Sequence, residues 1–246
     1  MSDSGFIGGV GRPRVWRARI RLPEAPIKHI RNELIAIAVL CPILMLAAFC
    51  NGFPIIFYDT GAYILEGFQR IFIPERSPVY SLFLKYAGGP RDLWNVAFIQ
   101  CAITAFAMTE FARALKPQLS LWTLLGIGLI LALATGLPWY AAQIEPDCFV
   151  AVTAIAFYLL AFHSKHLGST RSLLLMLCAG FAAATHSSHI GLAIGLFAVL
   201  VVARIVLAVS KCDISRPSLL APFASCVLAL AIVFTCNYAF TRQIFF

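Results

Sequence analysis

The chain has 246 residues, of which 61% are hydrophobic and only 12% charged, and its mean hydropathy is +0.86. Soluble domains carry about 45–50% apolar and about 25% charged residues, so water is excluded as the main solvent, and an all-α polytopic bundle in lipid fits better than one or two soluble domains. The formal charge of +8 would point to nucleic acid in a soluble protein. Here the basic residues lie before or between the apolar runs, so they read as topology signals, not as a nucleic-acid surface.

Residues 1–33 form a basic segment with Arg12, Arg14, Arg17, Arg19, Arg21, Lys28 and Arg31. It is too long and too charged for the n-region of a signal peptide, and no small-x-small cleavage site follows; Phe49 before Cys50 is too bulky for lipoprotein processing. Residues 34–246 then read as one transmembrane domain. Spans are expected at 34–57, 93–111, 119–140, 145–162, 172–186, 190–209 and 219–239, each near the roughly 20 residues that cross a bilayer, with the fifth short. Backbone groups in lipid must be satisfied within the segment, so each run is expected to be helical.

The stretch 172–209 is divided into two crossings because Lys165 and Arg171 precede it while Arg204, Lys211 and Arg216 follow it. With the N-terminus inside, the basic leader joins Arg113, Lys116, Lys165, Arg171, Arg204, Lys211 and Arg216 on the cytoplasmic face, leaving Arg70, Arg76, Lys85, Arg91 and Arg242 outside. That bias predicts about seven spans, N-terminus in and C-terminus out. Of the eight cysteines, seven sit in or beside apolar segments and none forms a C-x-x-C pair. They read as small buried apolar residues, not as a disulfide frame.

The one long outer loop, 58–92, begins with Asp59 directly after the first span, where partial desolvation can raise the basicity of a carboxylate. Ile64, Phe68, Ile71 and Phe72 recur at helical spacing opposite Glu66, Gln69 and Arg70, predicting a helix in the membrane interface that Pro74 ends. A second short helix is expected from Val79 to Tyr86, stopped by Gly88-Gly89-Pro90. Two shorter outer loops carry Trp139, Tyr140, Gln143, Glu145 and Asp147, and His186 with His189. Each of these residues also has a structural role open to it. Asp59 can cap the interfacial helix, Glu145 and Asp147 can cap span four, and His186 with His189 can make a hydrogen-bonded turn. Trp139 and Tyr140 can be interface aromatics, and Arg76 a solvated charge. No cofactor or metal site is read from these residues.

The order of a cytoplasmic N-terminus, one span, a long outer loop with two interfacial helices and an initial Asp, then six more spans resembles the N-terminal module of C-type membrane glycosyltransferases. The protein O-mannosyltransferase and aminoarabinose transferase group is the nearest in style. Tyr58-Asp59-Thr60-Gly61-Ala62-Tyr63 resembles that family's first-loop acidic motif, and Arg76-Ser77-Pro78-Val79-Tyr80 a later loop element. The family's acidic pair is Asp59-Thr60 here, so a second acid has to come from Glu66, Glu145 or Asp147. The family generally continues beyond the point where this chain stops, at Phe246, which reads as a truncated or inactive form.

The resemblance implies a transferase in the inner membrane that moves a sugar from a polyprenyl-phosphate donor to an acceptor at the outer face. Asp59 is the implied general base. Arg76, with Arg70 or the His186/His189 pair, neutralises the leaving phosphate, and Tyr63, Glu66, Tyr80, Gln143, Glu145 and Asp147 line the site. The rival class is a transporter or a non-catalytic membrane subunit. A solute path calls for polar or broken helices at mid-membrane, and Asn51, Gly52, Pro54, Thr135, Gly136 and His186 supply only a thin version of one.

Overall fold

The computed structural model describes residues 25–73, 76–88, 92–210 and 215–242; most of the basic leader, Pro74 and the Gly89–Pro90 stop lie outside them. Five helices are long and apolar enough to cross a membrane: Arg31–Asn51, Trp94–Leu115, Leu167–Ala184, Ser187–Val209 and Leu220–Thr241. Two shorter apolar helices, Leu121–Ala134 and Cys148–Phe162, lie between the second and third of these. The chain is a helical, multi-pass membrane protein. The seven described cysteines are all free.

The first span joins α1 (Ala25–Leu44) to α2 (Leu46–Asn51), with Met45 N donating to Cys41 O and Phe49 N to Met45 O across the junction, both at 3.0 Å. Helix begins at Ala25, well before the apolar run, because hydropathy marks where a helix meets lipid and not where its hydrogen bonding starts. It stops at Asn51, short of the expected residue 57, because Gly52 adopts the left-handed conformation (φ 73°) and Pro54 follows. The residues so released include β1 (Ile55–Ile56), which pairs in parallel with β2 (Gln143–Ile144) in the register Ile55 to Gln143 and Ile56 to Ile144.

Both short loop helices form, as α3 (Thr60–Gln69) and α4 (Pro78–Gly88). Two details depart from the periodicity. First, α3 ends at Gln69 with Arg70 in the left-handed region (φ 56°), leaving Ile71 and Phe72 outside the helix. Second, one residue of its polar edge is turned inward: Glu66 is fully buried while Gln69 and Arg70 are exposed, and a Cβ on the neighbouring Gly67 would run into the Ser81 carbonyl oxygen of α4. The close approach that glycine permits lets α3 lie against α4 and draws Glu66 in between them.

The remaining helices are α5 (Trp94–Leu115), α6 (Leu121–Ala134), α7 (Leu137–Ala142), α8 (Cys148–Phe162), α9 (Ser164–Ala184), α10 (Ser187–Val209) and α11 (Leu220–Thr241). The expected span 119–140 is thus two helices, broken where Thr135 and Gly136 leave helical geometry. The apolar part of α9 begins at Leu167, making it longer than expected, and Thr185–His186 separates it from α10. One apolar core packs α1, α5, α6 and the α3–α4 pair around Leu40, Tyr80 and Val96; a second packs α8 to α11 around Phe157, Leu175 and Ala229. Phe83, Phe149 and Phe181 meet edge-on where the cores join, with ring centroids 5.4–6.1 Å apart. Val199, Val202, Ile205 and Val206 of α10 point outward, as lipid-facing side chains do.

At the end of the bundle remote from Asp59, four charged side chains meet between the helices. Glu33 of α1 accepts from Arg171 of α9 at 2.5 Å and lies 3.6 Å from Arg113 of α5, while Glu110 lies 3.8 Å from Arg171. Glu33, Glu110 and Arg113 are buried. Since α1 belongs to the first core and α9 largely to the second, this network links the two helix groups. Removing one partner of a buried ion pair costs roughly 3–5 kcal/mol. Glu33→Ala, which withdraws the carboxylate that Arg171 and Arg113 face, is therefore expected to lower the thermal-unfolding midpoint of the purified protein in detergent. An unchanged midpoint would mean that the network holds nothing together.

Candidate functional site

The site is built from two non-helical segments. The first follows the opening span. Asp59 stands at the cap position of α3 but makes no capping hydrogen bond with its side chain. Thr60 organises the turn instead: its Oγ1 accepts from Phe57 N and donates to the Ile144 carbonyl, both at 2.8 Å. The Asp59 carboxylate is left for Arg76, whose Nη2 donates to Oδ1 at 2.6 Å. The Arg76 guanidinium lies 5.1 Å from the centroid of the Tyr63 ring, a cation–π contact.

From there a chain of buried contacts leads to the second segment. Tyr63 meets Tyr80 edge-on at 4.9 Å, the Tyr80 hydroxyl donates to Gln100 Oε1 at 2.7 Å, and Gln100 Nε2 donates to the Gln143 carbonyl at 2.7 Å. Burial pushes the Tyr63 phenol up to about 12, so it stays neutral beside Arg76. Glu66 takes no part in this face. Its carboxylate accepts from Ser81 Oγ at 2.5 Å and from Ile73 N at 3.3 Å, and burial raises its affinity for a proton. It fastens α3 to α4.

The second segment runs from Gln143 into α8. Asp147 occupies the cap position of α8, again without a capping hydrogen bond, and its Oδ1 lies 3.3 Å from His189 Nε2. His189 is buried, with Nδ1 3.2 Å from the Ala182 carbonyl and 3.3 Å from Thr185 Oγ1, so oxygen atoms face both ring nitrogens. His186 forms a hydrogen-bonded turn: its Nδ1 accepts from Ser188 N at 3.2 Å, and its ring centroid lies 5.4 Å from that of His189. Glu145 is half-buried between Gln143 and Asp147, its N–H donating to the Gln143 carbonyl at 2.8 Å.

The charges act on one another across the two segments. The hydrogen bond from Arg76 holds the Asp59 carboxyl below its usual range, aided by the charges of Arg76 and His186 and opposed only partly by burial. This corrects the expectation of a basic Asp59: what desolvation adds, the guanidinium more than removes. Burial pushes Glu145 up to about 7, with the Asp147 and Asp59 carboxylates adding to the shift and Arg76 opposing it.

Of the residues singled out in the sequence, Asp59, Tyr63, Arg76, Tyr80, Gln143, Glu145, Asp147, His186 and His189 share this end of the bundle. Glu66 is turned away from it, and Arg70 is exposed at the end of α3. Trp139 and Tyr140 are exposed, consistent with an interfacial position. Thr60 and Ser77, whose Oγ donates to the Ala184 carbonyl at 2.7 Å, enter the sequence reading only as motif positions without a role of their own, and Gln100 does not enter it. Gln100 had a signal, as a polar side chain inside an apolar span. Among the described residues no group of three or more His, Cys, Asp or Glu side chains could hold a metal ion. No protein-family model, curated protein or solved structure was found to match the chain.

The Thr60 hydroxyl is the smallest link between the segments. Thr60→Val leaves the Ile144 carbonyl without its buried donor, a loss of about 1–3 kcal/mol. Thermal unfolding in detergent is expected to shift down accordingly, whereas Thr60→Ser, which keeps the hydroxyl, is expected to stay near the parent value.

Proposed function

We propose that the chain is a membrane glycosyltransferase that transfers a sugar from a polyprenyl-phosphate donor to an acceptor at the outer face of the inner membrane. In this reading the five long helices, α6 with α7, and α8 make seven crossings, with the N-terminus in the cytoplasm. The observation that carries the proposal is the meeting of Asp59–Arg76 with Glu145 and Asp147–His189, which belong to inter-helix segments far apart in the chain. The α3–α4 pair directly after the first span adds support through the layout it shares with C-type glycosyltransferases.

A sugar phosphodiester needs a cation where its phosphate leaves and polar groups around its ring. Arg76 is the cation. It is held by Asp59 and the Tyr63 ring, so its charge is oriented before substrate arrives. His186 lies close by as a second donor, and Gln143, Glu145 and Asp147 line the sugar and acceptor side. Asp59 in this scheme positions Arg76, because a carboxylate engaged at 2.6 Å by a guanidinium is a poor proton acceptor.

A transporter would draw on the buried Glu33–Arg171 network, since ionisable groups within spans often mark solute paths. That network lies at the far end of the bundle and joins side chains to one another. Liposomes containing the protein are therefore expected to show no solute flux linked to Glu33.

Two measurements test the proposal. Membranes containing the chain, given a panel of radiolabelled polyprenyl-phosphate sugars, are expected to release polyprenyl phosphate and label an acceptor. Arg76→Gln and Asp59→Asn should each lower that rate about a hundredfold or more while inserting normally; full activity in both variants would refute the assignment. For orientation, a cysteine at Tyr58 in a cysteine-free background is expected to react with an impermeant maleimide from outside intact cells.

A further inference from the structure

We infer that Glu145, and not Asp59, is the general base that takes the proton of the acceptor; the inference rests on the transferase reading above. Each carboxylate of the site faces a different demand. Asp59 Oδ1 is held by Arg76 at 2.6 Å, so protonating it would break a charge-assisted hydrogen bond. Asp147 Oδ1 faces His189 Nε2 at 3.3 Å, and its side chain is 56% exposed, the most open of the three. Glu145 has no side-chain hydrogen bond or ion pair among the described residues.

Its backbone, by contrast, is fixed. The Glu145 N–H donates to the Gln143 carbonyl at 2.8 Å, its own carbonyl accepts from Cys148 Sγ at 3.4 Å, and the preceding Ile144 carbonyl takes the Thr60 hydroxyl at 2.8 Å. A half-buried carboxylate on a rigid turn, with its oxygens uncommitted, is placed to receive a proton from an incoming group. The charged and titratable groups around it are Asp147 on its own turn, Asp59 and Arg76 from the first loop, Tyr80 of α4 and Cys148 of α8. Burial, with the Asp147 and Asp59 carboxylates adding to it and Arg76 opposing it, puts the carboxyl at about 7, where it is both available as a base and strong enough to act as one.

The step balances without a further reactant. The acceptor oxygen or nitrogen forms a bond to the anomeric carbon of the sugar while the bond from that carbon to the phosphate oxygen breaks. The electron pair leaves on the polyprenyl phosphate beside Arg76. The acceptor proton passes to a Glu145 carboxylate oxygen and from there to water. Because only the ionised form accepts a proton, transfer rises with pH through about 7 and then levels.

The test has an arm that needs no substrate. A hydrophobic carbodiimide, which reacts with protonated carboxyl groups in weakly hydrated surroundings, is applied to the purified full-length protein between about pH 5 and pH 9, and adducts are located by mass spectrometry. Glu145 is expected to be modified, with labelling falling as pH rises through neutrality, while Asp59 stays unlabelled; an unlabelled Glu145, or labelling indifferent to pH, overturns the inference. In the transfer assay, Glu145→Gln is expected to lose about 10²–10⁴-fold in rate and the rising limb of the pH profile, which Asp147→Asn retains. Wild-type protein inactive with every donor sinks the transferase reading itself. An active wild type with an unchanged Glu145→Gln profile sinks only the assignment of Glu145.

Discussion

The contact between the Thr60 hydroxyl and the Ile144 carbonyl, with the two-residue parallel pairing beside it, is the constraint on which the candidate site depends. Helices in lipid satisfy their own backbone, but the stretches between them do not and need other partners, in protein or in water. By stopping the first helix at Gly52, the chain releases a short extended segment whose partner comes from the turn before α8. The pairing brings the residues on either side into the same neighbourhood. Asp59 follows one strand by three positions and Glu145 follows the other directly, so a backbone requirement becomes a side-chain cluster.

That cluster differentiates three chemically similar groups through their neighbours. Arg76 makes Asp59 more acidic, burial and two nearby carboxylates make Glu145 less so, and Asp147 turns toward a buried imidazole. Environments that push like groups apart are the usual route by which acid and base roles are divided in a site. Tyr63 contributes without ionising, since its ring supports the guanidinium while its own proton is retained.

Much of the helical architecture was legible because lipid imposes a simple rule: an apolar run of sufficient length has to be a helix. The same rule says little about where a helix ends. Gly52, the Thr135–Gly136 break and the left-handed Arg70 each moved a boundary for local backbone reasons that hydropathy does not register. The polar residues at the loop starts were legible as a group, yet their partners were not. Asp59 looked like a cap or a base; which of its neighbours it would meet depended on Arg76, separated by a turn whose geometry periodicity could not give. Glu66 was read as the wet side of an interfacial helix, and only the contact between Gly67 and the Ser81 backbone explains why it is buried. Glu110 already lay within an expected span, but its importance emerges only when α1, α5 and α9 are assembled.

The Glu33 network has a bearing on how the chain is made. Glu33 leaves the ribosome 138 residues ahead of Arg171. Through that interval the first helix presents its carboxylate to the translocon with at most the second span's Arg113 to meet it. Its final seating therefore waits on synthesis of α9. A helix-to-helix ion pair of such sequence separation thus ties the seating of α1 to a segment translated long after it.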